Sequence, residues 1–383
     1  MINRDLPKRQ VLVLVLFLVW ASVLFAPVRI SSANKMRDFE VYWTTASRAA
    51  EAAPLYRVDD GHFQFKYLPA FAVVTTPASV FSLEIAKGKW LTTSIALIVA
   101  LVALSVAILP QPRRPAWMLV AVIVVAMAKF YGHELTLGQV NLAFAVLVGL
   151  GIAALGRDRP ALAAAALVAA VVVKPYAVLF LPWVVLLGGW RAALSAAVGM
   201  AAVLVAPLGL YGVQGTVDLH KDWWATVTTS TAPNLTNPDN VSVAAFAAKW
   251  LGAGSGASLT AAVVSLALLG FAAFVVLRGR ALPRREVLEG ALLLTLVPLI
   301  SPQGWDYVFL VSTPAIALLA NYDTDLPKPL RLITWITIAV IGLSLYDLLG
   351  RQRYRAFMDW SVITVCFVVV IVALGTLRLR RAA

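Results

Sequence analysis

Asp38, Lys66, His133, Glu134, Gln139, Asn141 and Lys174 are side chains whose types could do chemistry in a chain that is otherwise largely apolar. Polar groups cost most inside a bilayer, so the places where they gather bear directly on function. A carboxylate such as Asp38 can draw a proton from a hydroxyl, or it can pair with Lys35 or Arg37 as a solvated loop charge. Lys174 lies within a long apolar stretch. It is expensive there unless it meets an anion such as a phosphate, or snorkels to the headgroups. Gln139 and Asn141 sit near the start of an apolar helix. Amides and free backbone donors at that position could bind sugar hydroxyls or phosphate, or could simply cap the helix and pack between neighbours. His133 and Glu134 lie one turn away, and a histidine with a pKa near about 6.5 suits a proton-transfer role or a structural interfacial one.

The elements that must position these groups are membrane helices. The 383 residues are 61% hydrophobic and 13% charged, and the mean hydropathy of +0.84 exceeds what a water-soluble surface tolerates. Apolar runs near the length needed to cross a ~30 Å hydrocarbon core recur along the chain. The pattern predicts spans near 10–30, 89–110, 115–131, 135–155, 160–173, 175–189, 191–211, 257–278, 287–302, 304–320, 331–349 and 357–377. The first follows Lys8 and Arg9 and lacks a small-x-small cleavage pattern, so it reads as an uncleaved anchor. Residues 1–383 thus read as a single integral membrane domain.

Net charge is +13, but it does not point to nucleic acid. Arginines cluster at 113–114, 157–159, 278–285 and 378–381, in short breaks between apolar runs, as cytoplasmic loops obeying the positive-inside rule do. With the amino terminus inside, 31–67 and 212–256 become two large extracytoplasmic loops. The Pro-flanked run 68–81 dips into the membrane and returns. Within the first loop, Phe39, Tyr42, Trp43 and Ala46 fall at helical spacing, predicting an interfacial helix over 38–50. All three histidines, His62, His133 and His220, fall on the outer side with Asp38, Glu134 and Lys174, so a site would face outward. Arg351, Arg353 and Arg355 strain this topology by falling outside. Lys174-Pro175 marks a turn, because proline lacks a backbone donor and disfavours helix in the residue before it.

Four short blocks give the chain a resemblance. They are Arg37-Asp38-Phe39-Glu40-Val41-Tyr42-Trp43 with Pro54-Leu55-Tyr56 and Phe65-Lys66-Tyr67-Leu68-Pro69; Gly138-Gln139-Val140-Asn141; Lys174-Pro175; and Ser301-Pro302-Gln303-Gly304-Trp305-Asp306-Tyr307. In order and spacing they resemble the GT-C membrane glycosyltransferases, specifically glycosyltransferase family 87, the polyprenyl-phosphate-mannose-dependent type. The resemblance implies a GT-C-type bundle of about twelve transmembrane helices, with extracytoplasmic loops carrying short interfacial helices. It also implies that Asp38 is the general base of a direct, inverting displacement. The donor's phosphate would then meet Lys174, Lys66 or Arg37. His133, Glu134, Gln139 and Asn141 join these as candidates for binding donor phosphate or sugar, along with Trp305 and Asp306. Several family members place a histidine shortly after the tryptophan, where this chain has Asp306-Tyr307. Asp306 is then a substitute hydrogen-bonding group or a helix cap, and Trp305 a sugar platform or a belt residue.

There are no paired cysteines and no His-x-x-x-His to argue for a metal, and no cofactor is expected. The absence of a Rossmann fingerprint and of a P-loop argues against nucleotide sugars as donors. The expected partners are a polyprenyl-phosphate sugar, a glycolipid or glycan acceptor, and membrane lipid. The expected place is the cell membrane, with the site on its extracytoplasmic side. A secondary transporter or flippase is the alternative reading, since such proteins also carry broken helices and ionisable groups. A non-catalytic assembly subunit is a third.

Overall fold

The computed structural model describes residues 35–230, 232–278 and 284–380. Its helices are α1 (Arg37–Ala50), α2 (Pro69–Thr75), α3 (Leu83–Ala107), α4 (Ala116–Leu137), α5 (Asn141–Leu155), α6 (Pro160–Val173), α7 (Phe180–Val205), α8 (Leu208–Thr229), α9 (Val243–Leu251), α10 (Ser255–Arg278), α11 (Arg285–Ile300), α12 (Thr313–Tyr322), α13 (Lys328–Leu343), α14 (Tyr346–Asp359) and α15 (Val362–Arg380). Short 3-10 segments join some of them. Among the described residues there is no strand, only an isolated bridge between Asn240 and Trp305.

Among the described residues five helices are long and apolar enough to cross a membrane: α3, α4, the run Pro175–Val205 containing α7, α10 and α15. A sixth is available if α13 and α14, bent by 103° at a short break, count as one. Twelve crossings therefore exceed what helix length and composition supply among the described residues, and the first expected span, 10–30, lies outside them. α5 and α6 have 15 and 14 residues, which at about 1.5 Å per residue falls short of a ~30 Å hydrocarbon core.

Several boundaries move for local reasons. The expected span 135–155 is parted at Gly138, so His133 and Glu134 belong to the end of α4 and Asn141 opens α5. Helix continues through Trp190 and Arg191, interrupted once where Gly189 takes a positive φ of 63°. The expected loop 212–256 contains most of α8 and all of α9. Gln214, Asp218, His220, Lys221 and Asp222 give α8 a polar composition that hydropathy alone reads as loop. Arg351, Arg353 and Arg355 lie in α14 instead of a loop. The run 68–81 forms α2 and a 3-10 turn, Thr76–Val80.

The chain divides into two compact units. One comprises the described residues up to Leu101 together with His133–Ser230; the other comprises Val102–Gly132 and the described residues from 232 onward. In the first, α6 packs on α5 and α7. α1 is amphipathic, burying Phe39, Tyr42, Ala46 and Ala49 at the three- and four-residue spacing of one helix face. Asp38 and Glu40 in its first turn and Arg48 in its last suit the helix dipole. Its buried face meets Phe65, Phe71, Ala86 and Val140 in a single hydrophobic cluster. The start of α1 is tied to the end of α4 by Met36 N–H donating to the Thr136 carbonyl at 2.8 Å. In the second unit α15 packs against α11 and α13. There the buried Arg378 guanidinium reaches Glu289 Oε1 at 2.7 Å, so that neither charge is left unpaired.

Gly138 makes the junction of α4 and α5 possible. Its φ is +71°, and an added Cβ would stand 2.8 Å from Phe39 Cβ and 3.0 Å from Met36 Cβ. Gly138→Ala should therefore destabilise the protein by about 1–3 kcal/mol, read as a lowered thermal midpoint in detergent. An unchanged midpoint would show that α1 yields without cost.

Candidate active site

Three segments far apart in sequence meet around one glutamine. Asp38 projects from the first turn of α1, Gln139 lies in the α4–α5 junction, and Lys174 lies between α6 and the segment Pro175–Leu179. Proline at 175 ends the helix and holds Lys174 extended, at φ −144° and ψ 111°. Gln139 Nε2 donates to Asp38 Oδ2 at 2.6 Å. Gln139 Oε1 accepts from Tyr42 Oη at 2.9 Å, Tyr67 Oη at 3.2 Å and Lys174 Nζ at 3.3 Å. Lys174 Nζ also donates to Tyr67 Oη at 2.9 Å and stands 4.7 Å from that ring's centroid. The two tyrosine hydroxyls are 2.6 Å apart.

An ammonium only donates, so Lys174 fixes which end of the amide faces it and therefore which end faces Asp38. The carboxylate is held through one oxygen. Burial pushes the half-buried Asp38 carboxyl above its ordinary value of 3.8; the Gln139 hydrogen bond and the charges of Lys174, His62 and His133 pull the other way. Burial also lowers the Lys66 ammonium from its ordinary 10.5, with Asp38 opposing. The arrangement is a partly desolvated carboxylate flanked by cations, which can take a proton and can stabilise a departing anion.

Glu134 and Asn141 are placed behind Gln139. Glu134 is fully buried; it accepts from Asn141 Nδ2 at 2.8 Å and from the Leu142 N–H at 3.2 Å. Tyr176 Oη reaches Asn141 Oδ1 at 3.4 Å. Glu134 thus satisfies donors in the first turn of α5, and the pair holds the junction that carries Gln139. Trp90 adds a further tie, donating to the Gly138 carbonyl at 2.9 Å while its ring stacks on Phe39.

The remaining candidates are placed elsewhere. Arg37 lies 3.8 Å from Glu40 and 5.9 Å from the Phe63 ring centroid. Trp305 and Asp306 belong to the second compact unit. Asp306 is fully buried with its Oδ2 3.4 Å from Lys129 Nζ, its Oδ1 takes the Tyr307 N–H at 2.7 Å, and its own N–H donates to the Asp239 carbonyl. Gly304 packs closely there, since a Cβ would lie 2.1 Å from the Pro298 carbonyl oxygen. Among the described residues no three His, Cys, Asp or Glu side chains are grouped as metal ligands would be.

Tyr42, Tyr67 and Lys129 were not among the residues singled out from sequence. Tyr42 follows Asp38 by four residues, which puts both on one helix face, and Tyr67 follows Lys66 in the same block. That spacing was the available signal. Lys129 is a charge inside a predicted span, which by itself marks a buried partner.

The sequence profile of glycosyltransferase family 87 matches the chain over residues 65–302, and the chain belongs to that family. It is a membrane glycosyltransferase. No curated protein and no solved structure matches it. The matched segment includes Lys66, Tyr67, His133, Gln139 and Lys174; Asp38 lies upstream of it, and Trp305 and Asp306 downstream.

Proposed function

We propose that this protein transfers a hexose, mannose by family resemblance, from a polyprenyl-phosphate carrier to a glycolipid or glycan acceptor at the extracytoplasmic face of the membrane. The observation that carries the reading is the Gln139 bridge: a single side chain joins Asp38 to Lys174 and thereby sets a base beside a cation. Asp38 takes the proton of an acceptor hydroxyl as its oxygen bonds to the anomeric carbon. The carbon–oxygen bond to phosphate breaks on the opposite side, and its electron pair leaves with the polyprenyl phosphate. One displacement inverts the anomeric centre. Lys174 and Lys66 are the cations near enough to Asp38 to steady the departing phosphate, and lipid around the site keeps their charge effective.

The test is incubation of the purified protein in lipid nanodiscs with labelled polyprenyl-phosphate-mannose and a total lipid extract. Label is expected in a new glycolipid, with the opposite anomeric configuration. Movement of the labelled lipid across proteoliposome membranes with no new glycosidic bond would establish the transporter reading instead.

A further inference from the structure

A recess lies along α1, beside the residues that flank Asp38 in the chain. A cavity of about 170 Å³ opens between this helix and the segment Val58–Phe63, lined by Arg37, Glu40, Thr44, Arg48, Asp60 and Phe63 among others. Its charges are matched. Arg48 grips both oxygens of Asp60, at 2.5 and 2.8 Å, while Glu40 is held by Lys87 and lies 3.8 Å from Arg37. The two arginines and two acids of the lining cancel. The surroundings of Asp38 are different, with Lys66, Lys174, His62 and His133 all acting on its carboxylate.

The cavity's lining flanks Asp38 along the chain. Arg37 precedes Asp38 in the chain, and Val41, which also lines the cavity, follows Asp38 by one helical turn. His62, which acts on Asp38, sets its ring edge-on to Phe63 at 5.1 Å. Forked ion pairs still offer unused N–H groups and lone pairs, Thr44 adds a hydroxyl, and the Phe63 ring is 42% exposed. About 170 Å³ is room for one sugar ring and too little for a polyprenyl chain.

We infer that this cavity is the acceptor subsite: it receives a neutral sugar ring of the acceptor and turns one hydroxyl toward Asp38. The inference rests on the glycosyl-transfer reading for its role, but the binding it asserts is independent of turnover. A balanced lining favours an uncharged polyhydroxyl ligand, since a phosphate would meet Glu40 and Asp60 as well as the arginines.

The probes are the methyl α-glycosides of mannose, glucose and galactose, observed by saturation-transfer NMR on the full-length protein in nanodiscs without donor. At least one should bind the native protein and Asp38→Asn alike. Thr44→Trp, which fills the cavity, should lower the signal at least fivefold, and inorganic phosphate at equal concentration should not compete. Phe63→Ala, at an exposed position at the end of the short 3-10 segment Val58–Phe63, checks the result without touching a long helix and should weaken binding at least threefold. Absence of glycoside binding, equal binding by both cavity variants, or displacement by phosphate would overturn the inference. Transfer that proceeds in Thr44→Trp with unchanged acceptor dependence would refute the subsite and leave the reaction standing. Cavity binding without any transfer would refute the reaction and leave the subsite.

Discussion

Asp38→Asn should lower transfer about 10²–10⁴-fold while the folded protein becomes no less stable. Asparagine keeps an oxygen that can accept the Gln139 amide at the position where Asp38 Oδ2 accepts it at 2.6 Å. The variant removes the charge and keeps the bond. Stability moves the opposite way to activity because the carboxyl is raised above 3.8 on folding. Between that value and its folded value the native state binds more protons than the unfolded chain. Stability contributed by the protonated form is therefore lost as pH rises through the window, and the ionised group stays a burden at neutral pH. An uncharged replacement escapes that burden. The same shift places the acidic limb of kcat/KM for the native enzyme above 3.8, because only ionised Asp38 can accept a proton. The measurements are initial rates from lipid-linked donor across pH and thermal midpoints of both proteins at pH 7. A variant retaining more than a tenth of native transfer would remove Asp38 from the base role.

Lys174→Met should cost about 10²–10³-fold in rate, the scale of one lost electrostatic donor to a developing charge. The loss should fall mainly on kcat, since the charge on the departing phosphate grows as the bond breaks. Lys174 also braces Gln139 at 3.3 Å, and a second variant separates the two roles. Lys174→Gln can still donate to the amide oxygen but brings no charge. It should be as impaired as the methionine variant. If Lys174→Gln works within threefold of the native enzyme, the lysine is a brace alone.

How far the site was legible in the sequence follows from the kind of signal each residue leaves. Lys174 and Gln139 stand out as polar groups beside apolar runs, and their cost in lipid marks them. Asp38 is drawn in by its motif. That these three converge is a tertiary fact, since 101 residues separate Asp38 from Gln139 and 35 separate Gln139 from Lys174. Tyr42 and Tyr67 stand in the motif blocks without marking themselves as site residues, because tyrosine at a membrane interface is ordinary, and only their contact with one amide oxygen gives them a part. Asp306 shows the converse. Its motif offered a sugar ligand or a helix cap, while an ion partner, Lys129, is 177 residues away. Helix class was legible throughout from composition. Helix ends were not, because Gly138 and Gly189 bend the backbone inside apolar runs that hydropathy reads as continuous or divides a residue or two away.

The one-sided hold on Asp38 also sets an order of events. An amide N–H facing Oδ2 cannot accept a proton, and the amide cannot turn while Lys174 points at its oxygen. Among the described residues no other hydrogen bond reaches this carboxylate. Oδ1 carries no hydrogen bond from them and is the oxygen more open to the incoming hydroxyl, so the proposed reaction puts the proton there. In the proposed reaction the lengthened glycan then faces Oδ1, and the proton leaves after the glycan has moved away. Recharging the base would wait on product release, so each acceptor could receive only one sugar per visit.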